Sequence, residues 1–132
     1  MPIAHVSMRE GKPAAYRKAV LDGIYQAMRD ALDVPEDDRF MTLTEHDADN
    51  FRYGSAFGIE RSDDLIYIGI TLFDTRPVEH KRALFRRIAE ILTESPGIRP
   101  EDIFINLYGT PKENWSVGHG DMQFGPGRVS HG

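Results

Sequence analysis

The chain contains one strand–helix–strand pattern twice, and this repeat limits the folds that it can adopt. In the first copy, residues 2–8 place Ala4, Val6 and Met8 on one face, as a half-buried strand does. Residues 13–32 carry an apolar side chain at every fourth position, which is typical of an amphipathic helix. The stretch 39–44 then predicts a second strand.

The second copy follows the same order. The apolar run 65–73 (LIYIGITLF) predicts a strand, residues 77–93 predict a helix, and residues 103–108 predict a final strand. Residues 99–104, which lead into that strand, echo residues 35–40 of the first copy. We interpret the pattern as a short internal duplication and not as a solenoid array.

Each copy is a βαβ unit, in which a helix connects two parallel strands. Two units, over about 2–44 and 65–108, predict one α/β (α+β) domain spanning 1–132, with a four-stranded sheet and two helices on one face. The other sheet face would then be bare, and large exposed apolar surfaces mark interfaces, so we expect an oligomer. We expect residues 45–64 to form a polar loop, and residues 109–132, rich in Gly and Pro, to form a C-terminal hairpin or arm that reaches a neighbour.

Composition excludes several classes of function. The net charge of −5 and the scattered basic residues argue against a nucleic-acid partner. The chain has no cysteine, no apolar run of the ~20 residues that a membrane span needs, and no signal-peptide pattern at its start. The five histidines lack metal-ligand spacing. We therefore expect a cytoplasmic protein without a metal or a membrane partner.

Pro2 follows Met1 directly, so removal of Met1 exposes a secondary amine that no other residue type can supply. An α-amino group has a pKa of about 7.7–8.0, and desolvation or a nearby cation lowers it into the range of a general base at neutral pH. We therefore predict a catalytic Pro2. Retention of Met1 makes this nitrogen an amide, and the prediction then fails.

Three further segments carry a resemblance. Residues 34–40 (VPEDDRF) contain Asp38, residues 75–81 (TRPVEHK) contain Arg76, and residues 114–124 (NWSVGHGDMQF) are aromatic and rich in Gly. With Pro2 on a strand and the duplicated βαβ units, they resemble the tautomerase superfamily, in particular its malonate semialdehyde decarboxylase-like branch. The resemblance covers most of the chain, and it implies a homotrimer that needs no cofactor and no metal.

The same resemblance implies an active site near each Pro2. It assigns catalytic roles to Pro2, Asp38 and Arg76, of which Arg76 also clamps a substrate carboxylate. It implies an apolar substrate-binding wall made of Trp115, Val117 and Phe124. Two positions depart from the decarboxylase pattern: Asp74 stands where the first of two arginines is expected, and Val117 replaces an aromatic residue. Asp74 weighs against malonate semialdehyde as the substrate.

Each of these residues also has a structural interpretation. Pro2 is a normal strand-opening residue. Asp38 follows Pro-Glu, where aspartate commonly closes a turn, and Trp115 is a typical packing residue. Arg76 has Asp74 or Glu79 within reach as an ion-pair partner.

Three functions remain open from the sequence. The leading one is a tautomerase that acts on small 2-oxo or enol carboxylic acids with Pro2 as general base. The alternative is a malonate semialdehyde-type decarboxylase or hydratase, in which cationic Pro2 works with Asp38. The third is a non-catalytic trimeric interaction protein, which retention of Met1 favours.

Overall fold

The computed structural model describes residues 2–127 and contains all six predicted elements, each boundary within two residues of its predicted position. They are β1 (Ile3–Arg9), α1 (Ala14–Leu32), β2 (Phe40–His46), β3 (Ile66–Phe73), α2 (Val78–Glu94) and β4 (Ile103–Thr110). Among the described residues, no helix is both long and apolar enough to span a membrane.

The four strands form one mixed sheet in the order β2-β1-β3-β4. Within each unit the strands are parallel, as predicted. Between the units, β1 and β3 are antiparallel, with Ile3 opposite Thr71 and Met8 opposite Ile66. The start of β1 therefore lies beside the end of β3, and the end of β1 lies beside the start of β3.

The strand pairing confirms the duplication residue by residue. Ile3 pairs with Phe40 in the first unit. The residues 64 positions later in the sequence, Tyr67 and Phe104, pair with each other in the second unit. The sequence echo between residues 35–40 and 99–104 has the same interval.

The turns that lead into the two helices are separated by the same 64 residues. Pro13 caps α1 and Pro77 caps α2, each in an extended conformation with φ of −69°. The residues directly before them are Lys12 and Arg76, so these two cations occupy equivalent places in the two units.

Both helices pack on one face of the sheet, and the aliphatic residues of the strands point toward them. The central core residues are Ala4, Val6, Ile24, Met28, Ile68, Ile70, Leu84 and Ile88, all of which are at most 1% exposed. The opposite sheet face is more polar than we expected. Its exposed residues include His5, Thr42, Asn106 and Tyr108, and the His5 ring shares a hydrogen bond of 2.7 Å with the Thr42 hydroxyl.

The connecting segments contain little regular structure. Residues 47–65 hold two short 3₁₀ turns, Ala48–Asn50 and Ala56–Gly58. After β4, residues 111–127 hold the 3₁₀ turn Lys112–Asn114 and no strand, so this described part of the C-terminal segment is an arm and not a hairpin. The rest of the predicted arm, residues 128–132, lies outside the described residues.

Two aspartates occupy equivalent buried places in the two units. Asp38 is 8% exposed and Asp102 is fully buried. The amide of Asp38 donates to the carbonyl of Pro35 at 3.2 Å, and the amide of Asp102 donates to that of Arg99 at 2.9 Å. The Asp102 carboxylate also accepts hydrogen bonds from the amide and the hydroxyl of Ser62, at 2.7 and 2.5 Å, and so holds the turn that leads into β3.

Replacing Asp102 should therefore destabilise the fold. Asp102→Ala leaves the Ser62 amide and hydroxyl without their acceptor, so we expect the free energy of unfolding in urea to fall by about 2–4 kcal/mol. The exposed Asp49 provides the control, because Asp49→Ala should change that free energy by less than about 0.5 kcal/mol. Equal losses in the two variants would contradict the assigned role of Asp102.

Candidate active site

The sheet brings all six predicted site residues to one end, which we call the Pro2 end. Pro2 precedes β1, and Asp38 precedes β2, which runs parallel to β1. Arg76 follows β3, which runs antiparallel to β1 and so ends where β1 begins. The arm follows β4, which is parallel to β3, and carries Trp115, Val117 and Phe124.

A cavity of about 200 Å³ opens at this end. Its lining residues are Pro2, Ile3, Phe40, Trp115, Ser116 and Val117. The structure thus brings together three predicted residues, Pro2, Trp115 and Val117. Sequence reasoning missed Ile3, Phe40 and Ser116 as lining residues, although Phe40 and Ser116 belong to the segments that carry the resemblance.

Trp115 is held in place by contacts to β3 and β4. Its indole N–H donates a hydrogen bond of 2.6 Å to the hydroxyl of Thr110, which in turn donates to the carbonyl of Leu72 at 3.2 Å. The Phe73 ring packs edge-on against Trp115 at 5.9 Å and against Phe124 at 5.3 Å between centroids. Phe124 therefore supports the cavity wall through Phe73 and is not among the lining residues.

Arg76 is half-buried and lies outside the cavity lining. Its Nη1 donates a hydrogen bond of 2.6 Å to the carbonyl of Leu32, the last residue of α1. A cation is favourable at a helix C-terminus, because its carbonyls lack partners within the helix. The salt bridges of residues 2–127 do not join Arg76 to Asp74 or to Glu79, which pairs with Arg82 instead.

Asp38 also lies outside the cavity lining, two residues before β2 begins. Its counterpart Asp102 accepts hydrogen bonds from the chain that leads into β3. Because Phe40 pairs with Ile3 in the parallel register of β2 and β1, Asp38 lies at the sheet end where the chain leads into β1. Met1 itself falls outside the described residues.

Asp74 is exposed at the Pro2 end. Its amide donates to the carbonyl of Thr110 at 2.9 Å, and a Cβ added to Gly109 would lie 2.8 Å from the Cβ of Asp74. The close approach explains the glycine at position 109. Among residues 2–127, no group of three or more histidine or carboxylate side chains could hold a metal ion.

Comparison with known proteins gives a consistent result. Two family models, each described as a tautomerase enzyme, match residues 2–57 and 38–118. The chain is 37% identical to the probable tautomerase YusQ of Bacillus subtilis, over 93% of this chain and 98% of that protein. It is 28% identical to the probable tautomerase YrdN of the same organism, over 98% of this chain and all of that protein.

Solved structures agree with these matches. A malonate semialdehyde decarboxylase with decarboxylase and hydratase activities superposes with a TM-score of 0.86 and 26% identity, covering 92% of this chain and 95% of that one. FG41 malonate semialdehyde decarboxylase, inhibited by 3-bromopropiolate, gives 0.87 and 27% over 92% and 93% of the two chains. Native fused 4-OT, at 22% identity and a TM-score of 0.75 over 88% and 92%, shares the fold.

The hydroxyl of Thr110 should control the position of Trp115. Trp115 is the sole tryptophan of the chain, so its fluorescence reports on the cavity wall directly. Thr110→Val removes the acceptor of the indole N–H, and we expect a loss of about 1 kcal/mol in stability with stronger quenching by acrylamide. Thr110→Ser keeps the hydroxyl and should quench like the wild type. Equal quenching in all three proteins would contradict this role.

Proposed function

Because the chain belongs to the tautomerase family, we propose that it is a cofactor-independent cytoplasmic tautomerase acting on small 2-oxo or enol carboxylic acids, with Pro2 as general base once Met1 is removed. The observation that carries the proposal is the position of Pro2. It is buried, opens a central strand, and lines an apolar cavity at the sheet end that also collects Asp38 and Arg76.

Proton transfer is the chemistry that this cavity favours. The neutral Pro2 nitrogen takes a proton from the carbon next to a carbonyl, and the resulting ammonium returns a proton to another carbon or to the oxygen. Ile3, Phe40 and Trp115 give the cavity an apolar lining, and an apolar environment favours the neutral amine over the ammonium. The carboxylate of Asp38 acts in the opposite direction and stabilises the ammonium.

Arg76 is suited to bind the substrate carboxylate. It lies directly before the N-terminus of α2, where the helix dipole and the guanidinium both favour an anion. Its described hydrogen bonds use Nη1 alone, whereas a guanidinium carries five N–H donors. The bond to the Leu32 carbonyl orients the group, and the remaining donors are available to a carboxylate.

The second candidate is a decarboxylase or hydratase of the malonate semialdehyde type. In this mechanism cationic Pro2 polarises a 3-oxo acid, and Asp38 tunes the proline or activates water. The burial of Asp38 and the similarity to two malonate semialdehyde decarboxylases support it. Asp74 opposes it, because a carboxylate stands where that branch uses an arginine.

We also propose that three copies associate through the sheet face that the helices leave uncovered. Fused 4-OT, which shares the fold, is described as a symmetric and as an asymmetric trimer. In this chain, His5, Thr42 and Asn106 offer hydrogen-bonding groups on that face, and the exposed rings of Phe104 and Tyr108 offer contact area. A trimeric interaction protein without turnover has the same assembly, so activity has to separate the two.

Replacing Pro2 should strongly slow tautomerisation. For Pro2→Ala lacking Met1, we expect kcat/KM for phenylenolpyruvate ketonisation to fall at least about 100-fold, since a general base contributes that much or more. Pro13→Ala, at the other sheet end, is the matched control and should keep near-normal activity. Full activity of the Pro2 variant would rule out the proposed mechanism.

The same assay separates the two candidate mechanisms. A general-base Pro2 makes the wild-type rate fall as pH drops below the pKa of the amine, whereas a cationic Pro2 makes it fall above that pKa. Consumption of malonate semialdehyde with release of carbon dioxide identifies the second candidate.

The trimer should depend on the uncovered sheet face. Light scattering should give a mass three times the 15.0 kDa of one chain. Thr42→Arg places a charge on the sheet face that forms the proposed interface and should yield monomers, while Thr93→Arg, on the exposed side of α2, should leave the trimer intact. A monomeric wild type at micromolar concentration would refute the proposal.

A further inference from the structure

The turn that carries Asp38 has a backbone conformation that its counterpart in the second unit lacks. Asp37, directly before Asp38, has a φ of 66°, which lies in the left-handed region that residues other than glycine seldom adopt. The corresponding part of the second unit, Pro100–Asp102, is a 3₁₀ turn. A left-handed residue of this kind persists where the surrounding contacts hold it, so the contacts of this turn point to a role for its conformation.

Tyr25, on α1, supplies these contacts. Its hydroxyl accepts a hydrogen bond of 3.0 Å from the amide of Asp37. The guanidinium of Arg39 lies over its ring, 5.7 Å from the ring centroid, and also lies 3.4 Å from the Asp37 carboxylate. Both chain neighbours of Asp38 therefore contact the same side chain. The residue before Tyr25, Ile24, is fully buried in the core, so this part of α1 is a rigid support.

The second unit has no equivalent of this support. The residue 64 positions after Tyr25 is Ala89, which has no hydroxyl. The second-unit aspartate, Asp102, is held through its carboxylate by Ser62 and stabilises the fold. The two units thus share a buried aspartate before an edge strand, but only at the Pro2 end does a helix side chain hold the turn around it.

We propose that Tyr25 is a positioning residue that holds the Asp38 carboxylate at the Pro2 end and thereby sets the proton affinity of the Pro2 amine. The proposal rests on the proposed function, because it takes Pro2 as the working amine and Asp38 as its partner. Both residues are buried, and the register of β1 with β2 brings their segments to the same sheet end. A carboxylate held there favours the ammonium form of Pro2, and a loosened turn weakens that effect.

The test is an NMR titration of the Pro2 nitrogen in the full chain freed of Met1 and labelled with nitrogen-15 proline. Asp38→Asn should lower the titration midpoint by roughly one pH unit, since a nearby opposite charge is lost. Tyr25→Phe keeps the aromatic ring but removes the acceptor of the Asp37 amide. It should lower the midpoint by roughly a third of that amount, because the carboxylate is displaced and not removed. In the Asp38→Asn background, Tyr25→Phe should cause no further change.

Tyr16→Phe is the matched control. Tyr16 also belongs to α1, but it lies in the first turn of the helix with Nζ of Lys12 over its ring, at the other end of the sheet. Loss of its hydroxyl should leave the Pro2 midpoint unchanged. Both tyrosine variants keep the other charged side chains of the Pro2 end, among them Asp37, Arg39, Asp74 and Arg76.

The proposal is overturned if Tyr25→Phe leaves the midpoint unchanged, if it shifts the midpoint equally in the Asp38→Asn background, or if Tyr16→Phe gives the same shift. It is also overturned if Asp38→Asn does not lower the midpoint, because Tyr25 then has no carboxylate through which to act.

Failure of the proposed function gives a different result. The titration needs no substrate, so it reports on Tyr25 even in an inactive protein, whereas the activity of Pro2→Ala decides whether the amine is catalytic. If both proposals hold, the acid limb of the pH profile of kcat/KM should move to lower pH in Tyr25→Phe, because a general base with a lower pKa stays neutral at lower pH.

Discussion

The antiparallel pairing of β1 with β3 determines where the other functional elements lie. Because β1 and β3 are the first strands of the two βαβ units, this pairing sets the start of each first strand beside the end of the other. Each end of the sheet then collects the start of a central strand, a cation before a helix, and a buried aspartate ahead of an edge strand. Without this pairing, Pro2 and Arg76 would lie at opposite ends.

Different side chains give the two equivalent ends different properties. The Pro2 end receives the arm that follows β4, and the Thr110 hydroxyl fixes Trp115 as an apolar wall. The opposite end receives the turn before β3, whose Asp63 and Asp64 pair with Arg9 and Lys12. The duplicated backbone therefore supplies the same framework at both ends, and the segments outside the repeat give the two ends different side chains.

Much of this arrangement was predictable from local patterns. The periods of the apolar residues located all six elements, and the echo between residues 35–40 and 99–104 signalled the equivalence of Asp38 and Asp102. The long-range contacts were not predictable. The Arg76 bond to the Leu32 carbonyl arises from the packing of α1 on α2, which no local pattern reports. The contacts of Trp115 with Phe73 and Thr110 were not predictable either, because Trp115 lies in the irregular arm, where no periodic pattern indicates which way a side chain points.

The central claim is that the chain acts through a free Pro2 amine in an apolar cavity, and the intact mass of the protein purified from its native host tests it most directly. A free Pro2 amine requires a mass lower than that of the 132-residue sequence by one methionine residue. A mass that includes Met1 would make the Pro2 nitrogen an amide and would contradict the account. The interaction-protein alternative would then be favoured.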